Sequence, residues 1–113
     1  MAKATTRGAT GRSFPGGTAI IVMRDTGQVI NKVTVLDKTF RIDTPDLGVL
    51  KFKTEIIKTI VYKNLPSYPT DMIRTVNSSI FNGSVLNDPI NVDAEDLGGR
   101  ARLARSKVLS IIW

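Results

Sequence analysis

Acidic side chains are the first candidates for chemistry in this chain, and they come in two clusters. Asp43 and Asp46 lie in "IDTPDLG" (42–48); Asp93, Glu95 and Asp96 lie in "VDAEDLG" (92–98). Carboxylates at such spacing suggest either a hard cation or a pair working across a glycosidic bond. A calcium site needs six or more oxygens, and D-x-x-D is not the spacing of a calcium loop. Glycoside hydrolysis needs two carboxylates facing each other across a cleft, whereas these sit on turn tips with no aromatic platform nearby in sequence. A turn explains both segments better. Pro45 presets φ, aspartate can cap neighbouring N–H groups, and Gly48 or Gly98 supplies a positive φ. No metal site is expected, and Asp46 and Asp96 are read as contact residues.

The rest of the composition narrows the chemistry further. The sequence has neither histidine nor cysteine. That excludes thiolate nucleophiles, disulfides, Cys/His zinc sites and the commonest general base. Serines have no base to activate them. "PGG" (15–17) has no lysine partner downstream and reads as a hinge rather than a phosphate loop. The expectation is a non-enzyme with no catalytic residues and no cofactor.

Basic residues offer binding instead. The formal net charge is +6, and the excess sits in the first half. Lys3, Arg7 and Arg12 occur in an acid-free arm that ends at Gly17. Lys51 and Lys53, and later Arg100 and Arg102, alternate with apolar residues, as on one face of a strand. Such cations suit an anionic partner, either nucleic acid or an acidic protein surface.

The elements that must carry these residues are all strands. Setting Asp46-Leu47-Gly48 on Asp96-Leu97-Gly98 aligns Phe40 with Ile90, Ile42 with Val92, Ile60 with Ile111, and Tyr62 with Trp113. Upstream, Val29–Asn31 meets Ile80–Asn82 and Asp37 meets Asp88. A co-linear pattern of this kind predicts a tandem duplication. Each copy reads as five short strands: "TAIIVMR", "QVINKVTVL", "TFRID", "VLKFK" and "IIKTIVY", then "DMIRTV", "SIFNGSVL", "PINVD", "GRARLA" and "VLSIIW". β-Branched residues dominate and no helical period is sustained.

The stretch "DMIRTVNSSIFNGSVLNDPINVD" (71–93) resembles the start of an Sm-like small β-barrel: polar turn, strand, glycine, strand. The chain also resembles bacterial tandem β-repeat proteins whose units end in K-[IV]-x-x-I, as in Lys107-Val108-Leu109-Ser110-Ile111. The first resemblance implies a five-stranded barrel, and nucleic-acid binding as an accompanying function.

The expected fold is therefore all-β, a tandem duplication of a five-stranded small barrel or meander, packed as two barrels or one sandwich. Its parts are a basic arm (1–17), repeat one (18–63), a linker holding Pro66 and Pro69 (64–69), and repeat two (70–113). The longest apolar run, Ala19 to Met23, is too short to span a membrane, and a soluble, cytoplasmic protein is expected. The expected function is structural, with self-association into a homo-oligomer or lattice. The contacts would come from Lys3, Arg7, Arg12, Lys51, Lys53, Arg100, Arg102, Asp46, Asp96 and the terminal aromatic Trp113. The alternatives are an Sm-like nucleic-acid binder and an accessory subunit of a larger complex.

Overall fold

A computed structural model describes residues 17–113. The strands are β1 (Thr18–Met23), β2 (Val29–Val35), β3 (Thr39–Thr44), β4 (Gly48–Lys53) and β5 (Ile57–Val61), then β6 (Asp71–Thr75), β7 (Ile80–Val85), β8 (Ile90–Ala94), β9 (Gly99–Leu103) and β10 (Val108–Ile112). Short 3-10 turns at Thr54–Ile56, Glu95–Leu97 and Arg105–Lys107 join some of them. Alternation decides each strand's faces. In β1, Ala19 and Ile21 are buried while Thr18 and Ile20 are exposed; in β3, Phe40, Ile42 and Thr44 point inward.

All of these strands form one curled antiparallel sheet, a half-barrel, in the order β9-β8-β2-β1-β10-β5-β6-β7-β3-β4. Replacing each strand by the one five places along the chain gives the same order reversed. The β1–β2 hairpin pairs with β8, and the β6–β7 hairpin pairs with β3, so neither segment keeps its strands to itself. At the centre β10 lies beside β5, with Ile111 directly opposite Ile60.

Local detail obeys the same exchange. Tyr62 N–H donates to the Leu109 carbonyl at 2.9 Å, and Trp113 N–H to the Lys58 carbonyl at 3.0 Å. Leu36 N–H reaches the Asn91 carbonyl and Leu86 N–H the Arg41 carbonyl, both at 2.8 Å. One aligned pair shifts. Asp37 accepts from Asn91 N–H at 3.1 Å, and the residue in the same place across the sheet is Asn87, which accepts from Arg41 N–H at 3.0 Å. Asp88 instead caps Arg105 N–H at 3.0 Å. The cause is a register irregularity in the β1–β2 ladder, where Lys32 takes a φ of 55°. A bulge there adds one residue to β2 that β7 lacks.

The core fills the concave side of the curl. Ile21, Ile30, Val33, Phe40, Ile42, Ile60, Ile73, Ile90, Val92 and Ile111 are all at 0 or 1 % exposure. Trp113 is half-buried against it, edge-on to Phe40 with ring centroids 6.2 Å apart. Gly83 is forced by crowding. A Cβ there would collide with the Asp43 carbonyl of β3 and lie 3.1 Å from Thr44 Cα.

Candidate functional site

Of the residues read from sequence as contacts, Lys51, Lys53, Arg100, Arg102, Asp46 and Asp96 fall at the two ends of the sheet, while Trp113 follows the central β10 and is half-buried against the core. Lys51 and Lys53 are on β4, Arg100 and Arg102 on β9, and these are the terminal strands. All four are exposed on the outer face, while Leu50, Phe52, Ala101 and Leu103 turn toward the core. Cations on a terminal strand keep it from pairing with another sheet. The two ends differ electrostatically. Arg100 lies opposite Asp93 and Arg102 opposite Asn91, but Lys51 lies opposite Arg41, a like-charge pair. Among the described residues one salt bridge forms, Lys107 to Asp25 at 3.7 Å, away from both ends. Lys3, Arg7 and Arg12 lie outside the described residues.

The acid-rich segments make the hairpin tips of those ends. Gly48 and Gly98 take φ of 72° and 81°, the left-handed conformation that the tight turn demands. The capping oxygen is not an aspartate. Thr44 Oγ1 accepts from Leu47 N–H at 3.0 Å and donates to the Gly48 carbonyl at 2.8 Å. Asp46 and Asp96 are left exposed at the tips. No group of three or more acids able to hold a metal occurs among the described residues.

A third region gathers polar groups that no sequence motif pointed to. A cleft of about 330 Å³ is lined by Arg24, Tyr62, Lys63, Asp71, Ser84, Arg105 and Ser106. Both segments build it: Arg24 follows β1, Tyr62 and Lys63 follow β5, Asp71 opens β6, Ser84 is on β7, and Arg105 starts the turn before β10. Asp71, 9 % exposed, takes the first inward position of β6 because its oxygens pair with backbone. They accept from Lys63 N–H at 2.7 Å and Val85 N–H at 2.8 Å. The Arg105 guanidinium donates to the Val85 carbonyl, and Arg24 reaches the Val108 carbonyl at 3.4 Å.

Tyr62 forms a wall of this cleft at 2 % exposure, and its hydroxyl is buried with no hydrogen-bond partner. Burial, and next the Asp71 carboxylate, push its pKa well above the ordinary value of 10.0. The phenol therefore stays a proton donor through the neutral range. A neighbouring cleft of about 390 Å³ shares Lys63, Asp71 and Ser84 and extends to Pro45, Pro69 and Thr70. An aspartate at an inward position of the alternating β-pattern "DMIRT" is the one sequence signal for this region.

The outer face over the central strands is mostly apolar. One row across the sheet reads Val29, Val22, Ser110, Val61, Met72, Asn82; the next reads Ile20, Ile112, Thr59, Arg74, Ile80. Ile20 and Ile112 are each 39 % exposed, Val29 51 % and Ile80 54 %. No helix among the described residues is long and apolar enough to cross a membrane. No protein-family model, curated protein or solved structure matches the chain.

Proposed function

We propose that this chain is a non-enzymatic assembly protein that self-associates through the outer face of its central strands. The observation that carries this reading is the mostly apolar double row just described, in which Ser110, Thr59 and Asn82 are the neutral polar residues and Arg74 is the single charge. A contiguous apolar surface of this kind on a sheet marks a contact site. The two rows are also exchanged by the relation that exchanges the strands. A second copy stacked face to face would therefore meet similar side chains along either row, the situation of an isologous sheet-on-sheet contact. The tandem origin of segments 18–63 and 70–113 belongs to the same proposal. It is supported by the paired registers and hydrogen bonds at matching places in the sheet.

Sedimentation at micromolar concentration tests the reading. The wild type is expected above monomer mass, and Ile20→Glu with Ile112→Glu is expected to return it to monomer without unfolding. A monomeric wild type in both low and physiological salt would refute self-association.

The second reading, nucleic-acid binding of the Sm-like kind, is favoured by one feature. Arg41, Lys51 and Lys53 share the outer face of one hairpin, with Asp43 the single acid beside them in β3 and β4. Like charges held opposite each other are relieved by a polyanion. That reading predicts binding to single-stranded oligonucleotides that falls steeply with salt. The absence of any gel retardation at low salt would eliminate it.

A further inference from the structure

We propose that the cleft around Tyr62 binds a small oxyanion, a phosphate or carboxylate group carried on a compact polar molecule. This inference is independent of self-association, because no residue that lines the cleft belongs to the apolar rows.

The first ground is an imbalance of donors over acceptors. Arg24, Lys63 and Arg105 bring cationic donors to one concave space, and Ser84 and Tyr62 bring hydroxyls. Asp71 is the one carboxylate in the lining, and both of its oxygens already receive backbone N–H groups; Asp88, the acid next to Arg105, is taken up by Arg105 N–H at 3.0 Å. Arg105 and Arg24 each spend one guanidinium nitrogen on a backbone carbonyl, which fixes their planes and leaves further N–H groups free. Fixed guanidinium forks select planar or tetrahedral oxyanions.

The second ground is the tyrosine. A hydroxyl buried without a partner is costly, and phenylalanine would fill the same space without that cost. The other half of the sheet carries different groups at these places. At the matching places it has Val76 for Arg24, Thr54 for Arg105, Ala19 for Asp71 and Thr34 for Ser84. The same strand plan stands with a neutral residue in place of each arginine, so the two guanidinium groups bring more donors to the cleft than the strand plan calls for.

The neighbouring cleft adds the size of the ligand. It continues from Lys63, Asp71 and Ser84 without charge of the same density, past Pro45 and Pro69. A bare ion would leave this extension unused, whereas a sugar phosphate or hydroxy-acid would lay its hydroxyl-bearing body there.

Thermal unfolding at constant ionic strength provides the test, with sodium chloride exchanged stepwise for inorganic phosphate or for citrate. A saturable rise in Tm is expected with at least one of them, and which of the two acts at lower concentration separates phosphate from carboxylate. Arg24→Gln and Arg105→Gln should each weaken the half-saturating concentration about tenfold. Tyr62→Phe should leave the unliganded Tm equal or higher while shrinking the ligand-induced rise, a combination that a purely structural tyrosine would not give. Lys51→Glu with Lys53→Glu should keep the full rise. Three results would overturn the proposal: no saturable rise in wild type with either anion, an unchanged rise in the Arg24 and Tyr62 variants, or a rise abolished by the Lys51/Lys53 change.

Discussion

The two halves of the sheet share one plan and differ at a few inward positions, and those differences separate structure from function. Where β1 and β2 put Ala19 opposite Val33, β6 and β7 put Asp71 opposite Gly83. The first pair is apolar packing. The second trades a side chain for close approach of β3 and sets a carboxylate beneath it to hold Lys63 and Val85. Tyr62 and Trp113 occupy matching places and both bury an unpartnered polar atom. Tyr62 lines the cleft with Arg24, Lys63, Arg105 and Asp71, whereas Trp113 lies edge-on to Phe40. The half containing Ala19 builds the plan from apolar packing; the half containing Asp71 builds it on a buried carboxylate beside a polar cleft.

Substitutions that convert one half into the other measure that difference. The largest effect is expected from Gly83→Val, which installs the residue found at Val33. Its Cβ has no room beside the Asp43 carbonyl, and urea denaturation should show a loss of about 3 kcal/mol or more. Asp71→Ala, copying Ala19, strips two backbone N–H groups of their acceptor and should cost about 2 to 4 kcal/mol by the same measurement. If it costs nothing, the carboxylate is not the structural support described above.

Tyr62 gives a smaller effect that depends on pH. In the unfolded chain its phenol ionises near 10.0, while in the fold it is held above that value. The native state thus binds the extra proton, and the stability this confers is present below pH 10 and lost as pH rises further. The slope is about 1.4 kcal/mol per pH unit for one group. Tyr62→Phe should flatten the alkaline decline by that amount. Smallest of all, Lys32→Gly relieves a side chain held at φ 55° in the β2 bulge and should stabilise by about 1 kcal/mol. No gain would mean that the lysine itself contributes contacts there.

Most of the strands were visible in the sequence, because alternation and turn residues are local signals. "VLKFK" gave β4 and "DMIRTV" gave β6 to within a residue at each end. The hairpin glycines Gly48 and Gly98 also took the positive φ that their turns implied. Pairing across segments was not visible. Nothing within β2 says that it will lie beside β8 rather than β3, since its own pattern is satisfied by either. The alignment of Asp37 with Asp88 failed for a related reason, since a one-residue bulge at Lys32 leaves no composition signature. The cleft was hidden because its residues come from separate turns and strands, each unremarkable until the sheet curls. The edge cations, by contrast, were readable as a strand face, but only the sheet order shows that Lys51 meets Arg41 while Arg100 meets Asp93.

The interleaved order also bears on how the molecule is made. During synthesis β1 to β5 leave the ribosome first, yet β3 must wait for β7 and β2 for β8. The most C-terminal strand, β10, belongs at the middle of the sheet between β1 and β5. Until it emerges, two hairpins and the apolar edges of β1 and β5 stay without their neighbours. Neither half of the nascent chain can complete its sheet ahead of the other, and the full sheet closes only once β10 has been made.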